Sequence, residues 1–230
     1  VTAPDRPDGS AGPPAEPVHI EVGDGAVLTG DLVLPGQAQS VVVFAHGSGS
    51  SRHSPRNRAV ARVLQCAGHG TLLFDLLTED EERVDAVTTE LRFDVPFLTR
   101  RLIAAVDLLT GRPDTARLPL GLFGASTGAA AALAAAAERP DEVCAVVSRG
   151  GRPDLAGEAL REVRAPVLLV VGGLDHQVLH LNEQAADALA APCTLHVVPG
   201  AGHLFEEPGT LEDAAASARD FFARHRRTGP

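Results

Sequence analysis

Between Ser40 and Gly200 the chain repeats one pattern: a short, nearly unbroken apolar run, then a stretch with helical spacing. The runs are SVVVFA (40–45), TLLFDLL (71–77), RLPLGLFG (117–124), EVCAVVS (142–148), PVLLVVG (166–172) and CTLHVVPG (193–200). A strand without alternation must be covered on both faces. Such strands, alternating with helices, specify a mostly parallel sheet layered between helices. The segments between and after them predict helices at 55–68, near 94–110, at 126–138, and near 153–162, 177–190 and 209–226. Gly68, Gly111 and Arg139-Pro140 mark helix ends. In the first helix, Ala59, Val63 and Cys66 lie near one face, and the acidic stretch 78–90 reads as a loop.

The pattern before residue 40 differs. VHIEV (18–22) and AVLTGDLVLP (26–35) alternate apolar and polar residues around Gly-Asp-Gly, which predicts an antiparallel hairpin with one wet face. Residues 1–16, rich in Pro, Gly and Asp, read as a flexible tail. The expectation is a single α/β domain over 17–230. It has about eight strands, mostly parallel, with an antiparallel N-terminal edge and helices on both faces.

Composition narrows the function. A chain of 230 residues can bury enough surface to dispense with disulfides or a structural metal. A formal net charge of −10 argues against a general nucleic-acid partner, which would need a basic face. All twenty basic residues are arginine, and Lys, Tyr, Trp and Met are absent, so none of those four serves a mechanism. Cys66, Cys144 and Cys193 stand far apart in apolar segments and read as buried free thiols. No apolar run is long enough to cross a membrane, and the N-terminus lacks a signal pattern. A cytoplasmic location without a membrane partner is the default expectation. The histidines show no ligand spacing, so no metal and no cofactor is expected.

In a sheet of this kind, function gathers beyond the carboxyl ends of the strands. There the sequence places His46-Gly47-Ser48-Gly49, Asp75, Ser126, Ser148-Arg149-Gly150, Asp175 and His203. Ser126 lies in Gly124-Ala125-Ser126-Thr127-Gly128, at a strand–helix junction. Glycine at the flanking positions lets a serine stand in a tight, strained turn, and the helix N-terminus favours negative charge nearby. A serine hydroxyl needs a base. His203, in a glycine-rich loop, can take its proton, and Asp175 can orient the imidazole. Asp154 is the reserve acid. The N–H of Thr127, with that of Ser48 or else Gly47, would form the oxyanion hole. His46 reads as a shaper of its loop. The competing roles are helix caps for Ser126, Asp175 and His203.

The chain order Ser126, Asp175, His203, with HGSG, GASTG and PGAGH, resembles the α/β-hydrolase superfamily over nearly all of residues 18–226. The nearest likeness is to small dienelactone-hydrolase-like proteins with short lids. The resemblance implies an α/β-hydrolase fold and acyl transfer from a small ester, lactone or thioester. Dienelactone hydrolases proper carry Cys where this chain has Ser126. That departure leaves the acyl-transfer chemistry in place and the dienelactone substrate unsupported. HGSGSSRHSPRNR and SRGGRPDL also resemble a bacterial subgroup sometimes joined to phosphoribosyltransferase domains.

Arg52, His53, Arg56 and Arg58 follow the HGSG turn, and Arg149 and Arg152 follow the sixth strand. Guanidinium groups bind carboxylate and phosphate. Arg52, Arg56 and Arg149 are therefore candidate holders of an anionic acyl substrate, the alternative being a solvated rim paired with Glu79–Glu82. Residues 149–165 leave room for little more than one helix, so a large lid is not expected. Three readings stay open: a serine hydrolase, an acyltransferase with the same residues, and a hydrolase-fold protein that only binds. Monomer and homodimer both stay open.

Overall fold

A computed structural model describes residues 13–23 and 25–226. The strands are β1 (Glu16–Glu21), β2 (Val27–Val33), β3 (Val41–Ala45), β4 (Gly70–Phe74), β5 (Leu120–Ala125), β6 (Val143–Arg149), β7 (Val167–Gly172) and β8 (Cys193–Val198). The helices are α1 (Pro55–Cys66), α2 (Glu79–Thr88), α3 (Val95–Gly111), α4 (Thr127–Glu138), α5 (His176–Ala188) and α6 (Thr210–Arg224). One eight-stranded sheet runs in the order β1-β2-β4-β3-β5-β6-β7-β8. β1 and β2 pair antiparallel, as do β2 and β4, and every other pairing is parallel. This is the mostly parallel α/β sheet that the residue pattern predicts and the α/β-hydrolase fold that the resemblance implies.

The unbroken apolar runs have the predicted consequence. Every residue of β3, β4, β5, β6 and β7 is buried. One core lies between the sheet and α3, α4 and α5, with Leu102, Val106, Leu133 and Ala185 among its members. The other lies against α1 and α6 and includes Val60, Leu64, Ala218 and Phe222. In that second layer Phe44 of β3 and Phe123 of β5 meet with ring centroids 4.8 Å apart. A tilted aromatic pair contributes about 0.5–1.5 kcal/mol beyond its buried area. Among the described residues, no helix is long and apolar enough to cross a membrane.

Several local expectations shift. The tail over 1–16 lies mostly outside the described residues, and Glu16 already opens β1 and pairs with Arg112. The inward face of α1 is Asn57, Val60, Ala61 and Leu64, one position away from the predicted stripe. That rotation leaves Cys66 exposed, whereas Cys144 is buried and Cys193 half-buried. The helix expected near 153–162 is a 3₁₀ segment, Pro153–Arg161, interrupted at Gly157 with φ 55°.

The acidic stretch is not a loop. Thr78 Oγ1 accepts from the Glu81 N–H, and the Glu81 carboxylate accepts from the Thr78 N–H, closing a capping box. Four acidic residues in the first turn of α2 complement the positive end of its dipole. Glu81 also receives both terminal nitrogens of Arg101 on α3, at 2.6 and 3.2 Å, and Arg101 is 1% exposed. This pair ties α2 onto α3.

Candidate active site

The sheet order sets the site. β5 lies between β3 and β6, and β7 and β8 continue outward from β6. The loops after β3, β5, β6, β7 and β8 therefore line up along one edge. They carry Gly47-Ser48, Ser126, Arg149-Gly150, Asp175 and His203 in spatial order.

Ser126 has φ 51° and ψ −121°, a conformation that costs a non-glycine residue about 1–3 kcal/mol. Glycine on either side is what lets the turn close. A Cβ on Gly124 would stand 2.4 Å from the Ala129 Cα, and one on Gly128 would stand 2.3 Å from the Ala45 carbonyl oxygen. The turn is braced from β6 and the segment after it. The Ser126 N–H donates to the Arg149 carbonyl at 3.3 Å, and the Arg152 N–H donates to the Ser126 carbonyl at 3.1 Å. The Ser126 side chain makes no cap hydrogen bond, so the cap role weighed for it is not what holds it.

His203 Nδ1 lies 2.6 Å from Asp175 Oδ2. A carboxylate can only accept, so the proton belongs on Nδ1 and Nε2 carries the free lone pair. Asp175 stands at the start of α5 without a cap hydrogen bond from its side chain. His203 and Ser126 line the same cavity of about 250 Å³. The His203 loop is held by Glu207, whose carboxylate accepts from the Gly202 N–H at 3.0 Å. That hydrogen bond holds the Glu207 pKa below the usual range. Asp154, the reserve acid, is engaged elsewhere, receiving Nε and Nη2 of Arg152 at 2.8 and 2.7 Å.

The loop after β3 differs in one respect from its expected form. The Ser48 N–H donates to the Thr127 hydroxyl at 3.0 Å, so this donor is already engaged. Gly47 lies so close to Ser126 that a Cβ on it would stand 3.1 Å from the serine Cβ. His46 is buried, and its Nε2 accepts from the Leu76 N–H at 3.0 Å, which puts its own proton on Nδ1, facing the Gly47 carbonyl. Burial lowers its pKa, and the neutral ring stitches the loop to the end of β4.

The candidate arginines separate into two kinds. Arg52 is clamped: its N–H and Nη1 both reach Asp75, and its Nε faces Asp31 at 3.7 Å. It is a brace between β2, β4 and the loop after β3, and its guanidinium is not open to a ligand. The partners are Asp31 and Asp75 rather than the predicted Glu79–Glu82. Arg58 also turns to Asp31, at 3.6 Å. Among the described residues Arg56 pairs with the exposed Glu206, at 3.4 Å, and it lines the Ser126 cavity. Arg149 lines it too and is buried. Sequence reasoning missed Asn57, whose Oδ1 accepts from Arg149 Nη2 at 3.2 Å. The available signal was an uncharged polar residue on the inward face of an otherwise apolar helix.

On the other side of the loop after β3 lies a second cavity of about 520 Å³, lined by Ser48, Thr127, Leu76, Leu77, Ala86 and Leu98 among others. Glu82 stands on its wall, where burial and the neighbouring carboxylates Asp75 and Glu79 raise its pKa.

A family model described as the dienelactone hydrolase family matches residues 28–226. A Mycobacterium tuberculosis protein carrying a provisional phosphoribosyl transferase name is 56% identical over 219 residues, 95% of this chain and 48% of its own length. This chain thus spans about half the length of that relative. An uncharacterized protein of the same organism is 30% identical over 217 residues, 83% of this chain and 73% of its own length. Among solved structures, a dienelactone hydrolase from Anabaena variabilis matches with a TM-score of 0.91 and 55% identity, covering 94% of this chain and 99% of that one. Est1E from Butyrivibrio proteoclasticus matches with a TM-score of 0.76 at 17% identity, covering 91% and 98%, a likeness of fold alone.

Proposed function

The chain belongs to the dienelactone hydrolase family, and we propose that it is a serine hydrolase of small esters, lactones or thioesters. Ser126 is the nucleophile, His203 the general base and Asp175 the orienting acid. The observation that carries this reading is the 2.6 Å hydrogen bond from His203 Nδ1 to Asp175, formed at the cavity that Ser126 enters from a strained turn.

The chemistry follows from the protonation that this bond imposes. His203 Nε2 takes the Ser126 proton as Oγ bonds to the substrate's carbonyl carbon, and the carbonyl electron pair moves onto oxygen. Asp175 stabilises the imidazolium. The tetrahedral intermediate collapses, the bond to the leaving group breaks, and His203 returns the proton to the departing oxygen or sulfur. Water then bonds to the acyl carbon, giving one proton to His203, which passes it back to Ser126 as the acid departs.

The developing oxyanion needs N–H donors already in place. The Thr127 N–H at the head of α4 supplies one. The second is the Ser48 N–H, which the Thr127 hydroxyl holds until the substrate oxygen takes over its place, with Gly47 as the alternative donor. The residues carry this chemistry without a cofactor.

The test is labelling with a fluorophosphonate probe together with a panel of short p-nitrophenyl esters, lactones and thioesters. Wild-type protein labels at Ser126 and turns over some member of the panel, and Ser126→Ala does neither. A Ser126→Ala protein that still labels would move the nucleophile elsewhere.

A further inference from the structure

Arg149 closes β6 at the floor of the Ser126 cavity and is 8% exposed. Its guanidinium carbon lies 5.9 and 5.8 Å from the ring centroids of Phe123 and Phe205. Nη2 donates to Asn57, while the buried Nη1 has no partner among the described residues. Among the described residues no carboxylate pairs with it. The nearby charge that acts on it is another cation, Arg56, and burial together with that neighbour brings its pKa down to about 10. At neutral pH it is still a cation. A buried charge without a counter-charge is costly, and an unpaired buried N–H adds to the cost. A ligand anion would remove both penalties at once.

The side of the site on which this cation stands identifies the part of the substrate it meets. In the reaction proposed above, His203 must hand its proton to the leaving atom, so the leaving group departs beside His203. His203, Gly150 and Arg149 share the 250 Å³ cavity, whereas Thr127 faces the larger one with Leu76, Leu77 and Leu98. We infer that the substrate carries an anion, carboxylate or phosphate, on its leaving group, and that Arg149 receives it while the acyl chain enters the larger, more apolar cavity. At about 30 Å³ per water, the smaller cavity has the volume of about eight waters, room for a small leaving group. The anion itself takes no part in bond making: the acyl–oxygen bond breaks, His203 protonates the oxygen, and the charge leaves unchanged.

This inference rests on the serine hydrolase reading, and one set of esters separates the two. The set is 4-(butyryloxy)benzoate, its methyl ester, 4-(butyryloxy)phenyl phosphate and the phenyl hemiester of succinate, whose charge lies on the acyl half. Wild-type kcat/KM should favour the benzoate over its methyl ester by about tenfold or more, a charge-assisted hydrogen bond being the difference. Arg149→Gln should reduce that ratio to within about twofold. A phosphate arm faster than the benzoate assigns the anion as phosphate, and a slower one as carboxylate. Independently of any variant, 4-hydroxybenzoate should inhibit hydrolysis of the neutral ester competitively, at least tenfold more tightly than methyl 4-hydroxybenzoate. Equal rates for the benzoate and its methyl ester, a preference that survives Arg149→Gln, or preference for the succinate hemiester would each overturn the inference while leaving the hydrolase in place. Absence of both turnover and fluorophosphonate labelling at Ser126 would instead remove the hydrolase reading, and this one with it.

Discussion

Among the described residues, Arg101 and Arg149 are the two arginines that the fold takes out of water. Their surroundings are alike in part. Arg101 lies 4.3 Å from the Phe97 ring centroid, and Arg149 lies 5.9 and 5.8 Å from the centroids of Phe123 and Phe205. They differ in the counter-charge. Arg101 holds both oxygens of Glu81, whereas Arg149 faces an amide and a second cation. The same side chain is a clamp where the chain supplies the anion, and an open valence where the chain withholds it. Burial of a cation therefore says little about its role until its partners are counted.

The contrast has functional meaning only if the open arginine serves the chemistry of Ser126. Ser126→Ala should lower kcat on p-nitrophenyl butyrate by about 10⁴–10⁶-fold. The same variant should still bind 4-hydroxybenzoate by calorimetry, since Arg149 is untouched. Loss of both would mean that the serine and the arginine do not form separable parts of one site.

Asn57→Asp would give Arg149 the carboxylate that it lacks, at the 3.2 Å position now held by the amide oxygen. The pocket floor would then resemble the Arg101 clamp. Preference for the anionic over the neutral butyryl ester should fall about 10–100-fold, as the new pair competes with the ligand. Steady-state kinetics on the two esters gives the ratio directly.

The converse substitution is Glu81→Gln, which removes the carboxylate that Arg101 grips. Removing one partner of a buried pair typically costs about 3–5 kcal/mol. The Glu81 side chain is 24% exposed, so solvent screening reduces the expected loss to about 2–3 kcal/mol. Urea unfolding should show a lower midpoint with little change in slope. Ester hydrolysis at low denaturant should change far less than stability.

The two arginines also mark how far the residues alone could be read. The parallel sheet was legible because apolar runs such as PVLLVVG force burial on both faces whatever their neighbours do. The Ser126 turn was legible because Gly124 and Gly128 are local requirements of a local shape. The capping signal Thr78-x-x-Glu81 was present in the acidic stretch, but its run of carboxylates reads equally well as a solvated loop. Which arginine meets which carboxylate depends on elements distant in sequence: Asp31 and Asp75 reach Arg52 from β2 and the end of β4. Asn57 reaches Arg149 from a helix whose inward face differs by one position from the predicted stripe. No spacing rule within one segment contains that information.

Arg149→Met sets the sign of the stability effect. Methionine ends two atoms short of the guanidinium nitrogens, but its flexible thioether can reach toward Phe123 and Phe205, where sulfur–aromatic contacts are favourable. It removes a cation that no described carboxylate neutralises and an N–H that no described residue satisfies. Against that, Asn57 Oδ1 loses its donor, a cost of about 1–3 kcal/mol if it stays dry. The adjoining cavity offers that oxygen water instead, so relief of the buried charge outweighs the loss. A net gain of about 1 kcal/mol should raise the thermal midpoint by about 2–4 °C in a protein of this size. Arg101→Met, measured alongside by differential scanning fluorimetry, should shift the midpoint downward, because it deletes the clamp between α2 and α3. Opposite signs from one substitution at two buried arginines would mean that the fold is held by the first and carries the second at a cost that a ligand anion relieves.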